Sequence, residues 1–220
     1  MTYSMAEVRL LPPCCPTKIV CVGRNYRDHA EELNNPVPDE PLIFLKPPSA
    51  LVAAGDPIVC PAPSELVSYE GELALMIGKR ARRLQPAEAW EYVYGFTCLN
   101  DVTARDLQKK DGQFTRAKGF DTFCPVGPAV VPRRFVDVGA LRVRTFVDGE
   151  LKQDGAVADM IFPIPAILAF VTRVMTLEPG DLIATGTPSG VGPLRPGSRV
   201  RVSIDGIGEL ENPVVAEHAG

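Results

Sequence analysis

The sequence at residues 69–78, Tyr-Glu-Gly-Glu-Leu-Ala-Leu-Met-Ile-Gly, joins two carboxylates to an apolar run. The apolar run predicts a strand, and side chains alternate between the two faces of a strand. Glu70 and Glu72 are therefore expected on one face, where two like charges repel and are costly to desolvate. A hard divalent cation such as Mg²⁺, Mn²⁺ or Ca²⁺ would remove this conflict, because these ions prefer oxygen ligands.

A third carboxylate extends the pattern. Asp101 follows the apolar segment 94–100, which is another strand candidate. Three carboxylates at strand ends indicate a metal site. The same residues also fit a second interpretation, because a Glu-x-Glu pair at the start of a strand is commonly a pair of solvated surface charges. Both interpretations stay open on these residues alone.

The bulk composition excludes several classes of function. The chain has 220 residues, enough for one domain or a large domain with a small appendage. Its net charge is −4, with 23 basic and 27 acidic residues and no basic block, which argues against nucleic acid as a main partner. No apolar run approaches the roughly 18 residues that span a bilayer, and no signal-peptide pattern opens the sequence. We expect a cytoplasmic protein that does not bind membranes.

The six cysteines also favour a cytoplasmic protein. No Cys-x-x-Cys pair is present, so a zinc site is not predicted, and free thiols in a reducing compartment are the plain interpretation.

Proline and glycine separate short apolar runs, a pattern typical of a strand-rich and loop-rich protein. We predict an N-terminal extension at residues 1–16 and a single catalytic domain at 17–220. The strand candidates are residues 18–22, 41–45, 58–61, 70–78, 182–185, 199–204 and 209–215, with a hairpin at 141–153. The helix candidates are residues 26–33, 86–92, 103–110 and 164–175.

His29 is the one credible imidazole for acid–base chemistry. The chain has two histidines, and His218 lies in the C-terminal tail. Because His29 and Glu32 are three residues apart, they share a face on a helical turn. Glu32 could then orient the ring and raise its basicity. A surface helix with assorted charges fits these residues equally well.

Two further features could meet an anionic substrate. Lys118 lies between small and apolar residues, where its charge could stabilise an oxyanion or enolate, although most single lysines are merely solvated. The loop 185–192, Thr-Gly-Thr-Pro-Ser-Gly-Val-Gly, follows a predicted strand and could offer backbone N–H groups. It lacks the Gly-Lys-Ser/Thr ending of a phosphate-binding loop, so a carboxylate cradle or a plain turn fits better than a nucleotide site.

Six motifs in sequence order resemble the fumarylacetoacetate hydrolase family. The likeness is strongest to its short members, the acylpyruvases, oxaloacetate decarboxylases and 2-hydroxyhepta-2,4-diene-1,7-dioate isomerases, and runs from about Lys18 to the C-terminus. The motifs are Gly23-Arg24-Asn25-Tyr26 with His29, Phe44-Leu45-Lys46-Pro47, Glu70-x-Glu72, Asp101-Val102-Thr103-Ala104-Arg105-Asp106, Ala117-Lys118 and Thr185-Gly186-Thr187-Pro188-x-Gly190-Val191-Gly192.

The resemblance implies a mixed β-rich α+β fold, a β-roll with few peripheral helices, usually in a homodimer. It implies one Mg²⁺ or Mn²⁺, and a lid near residues 24–36 that orders over the site. The implied metal ligands are Glu70, Glu72 and Asp101. The implied catalytic residues are His29 and Glu32, which activate water, and Lys118, near the reacting carbonyl. The implied substrate contacts are Arg24, Gln108 and the backbone of Thr187.

One position departs from the pattern. Several short family members carry histidine immediately before the first metal-binding glutamate, where this chain has Tyr69. The metal ligands are unaffected by this change, but the subtype within the family is left open.

The resemblance also implies a reaction. A small 2-oxo acid would chelate the cation, which acts as a Lewis acid, and an acylpyruvate-type 2,4-dioxo acid would be hydrolysed to pyruvate and a carboxylic acid. Decarboxylation of oxaloacetate, or isomerisation of a 2-hydroxyhepta-2,4-diene-1,7-dioate, would use the same site without a nucleophilic water. A metal-binding scaffold that lost its activity is a further alternative. The presence of every expected ligand, the imidazole, the acid and the lysine argues against it.

Overall fold

The computed structural model describes residues 8–32 and 36–217. Residues 1–7 of the predicted extension, 33–35 of the predicted lid and His218 in the tail lie outside the described residues. The α-helices are α1 (Arg27–Glu32), α2 (Arg105–Asp111), α3 (Phe114–Gly119) and α4 (Ile164–Val174). Short 3₁₀ helices span Pro48–Ala50, Pro86–Tyr92, Arg133–Phe135, Val138–Ala140 and Val157–Asp159.

Strands dominate the described part of the chain. In chain order they are β1 (Ile19–Gly23), β2 (Leu42–Lys46), β3 (Leu51–Val52), β4 (Ile58–Cys60), β5 (Val67–Tyr69), β6 (Gly71–Ile77), β7 (Val93–Asn100), β8 (Thr103–Ala104), β9 (Cys124–Pro132), β10 (Arg142–Val147), β11 (Glu150–Ala156), β12 (Leu182–Ala184), β13 (Gly192–Pro193), β14 (Arg199–Ile204) and β15 (Gly208–Ala216). The predicted mixed β-rich α+β class is confirmed.

The largest sheet has the strand order β2-β1-β12-β6-β7-β9-β3. Its central strands β6 and β7 pair antiparallel from Gly71 opposite Asn100 to Ile77 opposite Val93. Almost every residue of β6 is buried, since the apolar run of the sequence leaves no face for water. Glu72 therefore enters the interior together with its apolar neighbours.

A second sheet, of order β11-β10-β14-β15-β4, packs against the first. Alternating residues of β14 are buried, so this sheet turns one face to the core and the other to water. Helix α4 begins at Ile164, just after Pro163, as expected for a proline next to a helix start. The core between these elements includes Leu75, Phe96, Ile167, Leu168, Val202 and Ile204.

A small third sheet, of order β13-β5-β8, forms the corner that matters for function. The strand expected over residues 70–78 is present as β6, which begins at Gly71. Glu70 lies between β5 in the small sheet and β6 in the large one, where the chain passes from one sheet to the other. The side-chain oxygen of Asn100 accepts the Glu70 N–H at 3.0 Å, and the Asp101 N–H donates to the Glu70 carbonyl at 2.8 Å. Two neighbouring segments thus leave the large sheet together.

This corner corrects one predicted helix. Thr103 and Ala104 were expected in a helix over 103–110, but they pair with β5, so α2 begins at Arg105. Pro86–Tyr92 is a 3₁₀ helix, and the predicted hairpin is present as β10 and β11 around Asp148-Gly149. All six cysteines are free, and no described helix has the length and apolarity needed to cross a membrane.

Candidate active site

One cavity of about 550 Å³ brings the predicted site residues together. The corner between the large and small sheets supplies the carboxylates, α2 and α3 supply basic side chains, and α1 supplies His29. Of the nine residues predicted from the sequence, eight line this cavity, namely Arg24, His29, Glu70, Glu72, Asp101, Gln108, Lys118 and Thr187. The ninth, Glu32, contacts His29.

The three predicted metal ligands form a compact buried group. Glu70, Glu72 and Asp101 each offer a carboxylate oxygen, and these oxygens lie within 4.8 Å of one another. Their residues are 5 %, 1 % and 1 % exposed. The solvated-charge interpretation is therefore wrong. Glu70 and Glu72 face the same cavity, but strand alternation does not explain this, because Glu70 lies between β5 and β6 and not within a strand.

Three cationic side chains surround this group. Lys118 donates from Nζ to Asp101 Oδ2 at 2.6 Å and to Glu70 Oε2 at 3.0 Å. Lys46 donates to the other Asp101 oxygen at 2.6 Å, and the Arg105 guanidinium pairs with Glu70. Burial alone would raise the pKa of Glu70, but Arg105 and Lys118 hold that pKa well below its usual range.

The ammonium group of Lys118 is in turn held by Asp101 and Glu70. Burial alone would lower the pKa of its ammonium group, but Asp101 and Glu70 outweigh this effect and raise that pKa. Lys118 is therefore a fixed positive charge at the cavity wall, 2 % exposed. Its third hydrogen bond is to Thr103 Oγ1 at 2.8 Å.

Glu72 differs from the other two acids. Among the described residues no lysine or arginine forms a salt bridge with it, and its Oε2 accepts the Gly186 N–H at 2.7 Å. Burial, together with the charges of Asp101 and Glu70, raises the pKa of Glu72 well above its usual range. One carboxylate of the group thus lacks the counter-charge that its ionised form needs.

This imbalance fits a hard divalent cation. A buried carboxylate without a counter-charge is stabilised by a metal ion in the same way as by a salt bridge, and three oxygen donors are a suitable ligand set for Mg²⁺ or Mn²⁺. The donor set contains no thiolate or imidazole, which softer metals prefer. The carboxylate group can therefore bind a divalent metal.

His29 lies on α1 and lines the same cavity. Helix α1 belongs to the segment predicted as a lid. Its Nδ1 lies 3.4 Å from Glu32 Oε2, and both carboxylate oxygens of Glu32 accept the Gly190 N–H, at 3.1 and 3.2 Å. Burial lowers the pKa of His29 below its ordinary 6.5, although Glu70 and Glu32 oppose the shift. The imidazole is therefore neutral at pH 7 and available as a base.

The glycine-rich loop 185–192 runs beside the metal-ligand strand. Gly186 adopts a φ of +100° and donates its N–H to Glu72, and an added Cβ there would lie 2.7 Å from the Asn25 side chain. The Thr187 hydroxyl donates to the Gly71 carbonyl at 2.8 Å. The Thr187 side chain is thus held by the protein while Thr187 also lines the cavity, and contact of its backbone with substrate stays a prediction.

Sequence reasoning missed three polar side chains of this region. Lys46 and Arg105 lie within motifs noted above, yet nothing local assigns them the roles of binding Asp101 and Glu70. Gln153 is a single buried polar residue on the otherwise exposed β11. Its burial has no signal in the sequence, because it depends on contacts with residues far along the chain.

Comparison with known proteins agrees with this geometry. The family model for the C-terminal domain of fumarylacetoacetate (FAA) hydrolase matches residues 18–215. An oxaloacetate tautomerase of Bacillus subtilis is 44 % identical over 227 residues, which cover 96 % of this chain and 75 % of that protein.

Two solved structures share the fold. The 2-hydroxyhepta-2,4-diene-1,7-dioate isomerase of Mycobacterium marinum is 48 % identical with a TM-score of 0.90, covering 99 % of this chain and 81 % of that one. The maleylpyruvate hydrolase of Sphingobium sp. SYK-6, in complex with manganese(II) and pyruvate, is 40 % identical with a TM-score of 0.85, covering 97 % and 76 %. The chain therefore belongs to the fumarylacetoacetate hydrolase family.

Proposed function

We propose that this chain binds Mg²⁺ or Mn²⁺ through Glu70, Glu72 and Asp101, and that it interconverts the keto and enol forms of a small 2-oxo dicarboxylic acid. The observation that carries this proposal is the pairing of a buried acidic group with a basic wall in one cavity. A substrate with two carboxylates would place one at the cation and the other near the basic side chains. The activities named for the Bacillus and Mycobacterium relatives support this reaction class.

Each end of such a substrate has partners in the cavity. When bound, the cation would supply Lewis acidity toward the carboxylate and the adjacent oxo oxygen. Arg24 and Lys109 line the cavity and could bind the distal carboxylate. Gln108 also lines it, and its Oε1 accepts a hydrogen bond from the Arg105 guanidinium at 3.1 Å. Charge-assisted hydrogen bonds of this kind fix orientation as well as affinity.

The proton transfer uses groups of the chain itself. Neutral His29 would take a proton from the carbon next to the oxo group, and the resulting imidazolium would give that proton to the oxo oxygen, which completes the enol and restores neutral His29. Lys118 would place its fixed positive charge beside the oxygen on which negative charge develops. The reverse sequence returns the keto form, and the protein is unchanged at the end.

Hydrolysis of an acylpyruvate is the second candidate, and the contact between His29 and Glu32 favours it. In this reaction the pair would deprotonate a water that attacks the distal carbonyl of the substrate. The bond between that carbon and the methylene carbon then breaks, pyruvate leaves as its enolate, and protonation of that enolate gives pyruvate. The maleylpyruvate hydrolase among the related structures supports this alternative.

The two candidates separate in one set of assays. Enol-to-keto conversion of oxaloacetate and cleavage of acetylpyruvate and fumarylpyruvate would be followed with Mg²⁺, with Mn²⁺ and with EDTA. We expect acceleration of the oxaloacetate conversion that EDTA abolishes. Cleavage of the acylpyruvates without an effect on oxaloacetate would favour hydrolysis instead, and inactivity on all three would contradict both.

Glu72 tests the metal site with the least damage to the fold. Glu72→Gln keeps the shape and an acceptor for the Gly186 N–H, and leaves both buried lysines with their partners. We expect the affinity for Mn²⁺, measured by calorimetry, to fall at least about 100-fold, because losing a direct ligand should exceed the 10–100-fold cost of losing an outer partner. The exposed Glu150→Gln is the matched control. Wild-type affinity in Glu72→Gln would contradict the assignment.

The pKa of His29 predicts the acid side of the pH profile. Because only neutral imidazole accepts a proton, kcat/KM should be full above the His29 pKa and fall as the pH drops through it. Burial places that pKa below 6.5, so the fall should be centred below pH 6.5. Glu32 opposes the shift, so Glu32→Gln should move the fall to still lower pH. A fall centred above pH 6.5, or an upward shift in Glu32→Gln, would count against His29 as the base.

A further inference from the structure

A buried glutamine links the metal-ligand strand to the glycine-rich loop. Gln153 on β11 is 1 % exposed, and its Oε1 accepts the Gly71 N–H at 3.0 Å. Its Nε2 donates to Thr187 Oγ1 at 2.8 Å and to the Pro188 carbonyl at 2.7 Å. The Thr187 hydroxyl in turn donates to the Gly71 carbonyl at 2.8 Å, which closes a ring of hydrogen bonds.

The ring of hydrogen bonds lies between two of the proposed metal ligands and the glycine-rich loop. Gly71 separates Glu70 from Glu72, so Gln153 holds the backbone between two proposed metal ligands. Thr187 lines the cavity, and its hydroxyl oxygen accepts a hydrogen bond from Gln153. Gln153 is not among the described residues that line the cavity. It therefore acts on the site through Gly71 and Thr187.

Close packing keeps the loop against the hairpin of β10 and β11. An added Cβ at Gly190 would collide with the Lys152 carbonyl, and one at Gly155 would collide with the Pro188 ring. On the other side of the ring, a Cβ at Gly71 would collide with Thr145 Oγ1. The loop and the ligand strand therefore pack closely against this hairpin, with no room for a side chain at these three glycines.

The same loop contacts both a proposed metal ligand and the partner of the proposed base. The Gly186 N–H donates to Glu72, and the Gly190 N–H donates to Glu32, which contacts His29. A displacement of the loop would therefore move a proposed metal ligand and the partner of the proposed base together. Gln153 makes two of its three hydrogen bonds to the segment between Gly186 and Gly190.

We propose that Gln153 is a positioning residue of this active site, which fixes the loop 185–190 against Gly71 so that Glu72, Thr187 and Glu32 keep their relative positions. The inference rests on the proposed function, because that function gives these positions their purpose. A glutamine is suited to this role, since one planar amide accepts one hydrogen bond and donates two. The hairpin of β10 and β11, remote from the chemistry in sequence, is thereby part of the catalytic framework.

The test is Gln153→Met, which keeps the length of the side chain and removes all three hydrogen bonds. The probe is oxalate, a diacid that imitates the carboxylate and oxo end of the substrate, titrated by calorimetry into the Mn²⁺-loaded protein. We expect oxalate affinity and kcat/KM for oxaloacetate each to fall about 10–100-fold, the usual cost of losing an outer partner of a metal site. Most of the loss in kcat/KM should be in KM. Lys152→Met, at the adjacent exposed position, should behave like the wild type.

A second pair of variants covers the case in which Gln153→Met does not fold. Thr187→Val breaks the ring from the loop side, whereas Thr187→Ser keeps the hydroxyl. We expect Thr187→Val to lose more oxalate affinity than Thr187→Ser, because only serine keeps the hydroxyl group of the ring. A Gln153→Met protein with lower thermal stability but wild-type oxalate affinity and kcat/KM would overturn the inference and leave the proposed function intact. A wild-type protein that binds Mn²⁺, does not bind oxalate and converts no 2-oxo acid would overturn both the inference and the proposed function.

Discussion

The burial of three carboxylates at one corner of the fold is the constraint on which the rest of the site depends. Glu70 and Asp101 lie where the two central strands leave the large sheet, and Glu72 lies in the interior two residues after Glu70. Ionised carboxylates are costly to bury unless they gain partners, so the surrounding chain must supply positive charge. Lys46, Lys118 and Arg105 meet this need incompletely, because Glu72 has a backbone N–H as its protein partner.

This incomplete compensation distinguishes a metal site from a structural cluster of salt bridges. A purely structural cluster is stable when every buried charge is paired. Asp101 approaches that state, since each of its oxygens accepts from a buried lysine at 2.6 Å. Its removal would leave Lys46 without an acidic partner and Lys118 with Glu70 alone, and would cost about 3–5 kcal/mol of folding free energy. Asp101 therefore holds the fold together as well as contributing to the proposed site, whereas Glu72 contributes mainly to the site.

Local patterns predicted the parts of this arrangement that depend on local rules. The Asp148-Gly149 turn predicted the hairpin, and the spacing of Glu70 and Glu72 predicted that they meet at one site, although β6 begins only after Glu70. The switch between sheets at Glu70 depends instead on the side chain of Asn100, 30 residues away. Lys46 reaches Asp101 across 55 residues, and Gln153 reaches Gly71 across 82. Such contacts are set by tertiary packing, so a single sequence without structure does not reveal them.

The proposed site requires that the acidic group hold a cation to which a 2-oxo acid or its analogue binds directly. Electron paramagnetic resonance of Mn²⁺ bound to the protein, with oxalate carrying oxygen-17, measures this contact. We expect bound Mn²⁺ whose resonance lines broaden with labelled oxalate relative to unlabelled oxalate, because the labelled oxygens ligate the ion. Bound Mn²⁺ with identical lines in both samples, or the absence of bound Mn²⁺, would contradict the proposed site.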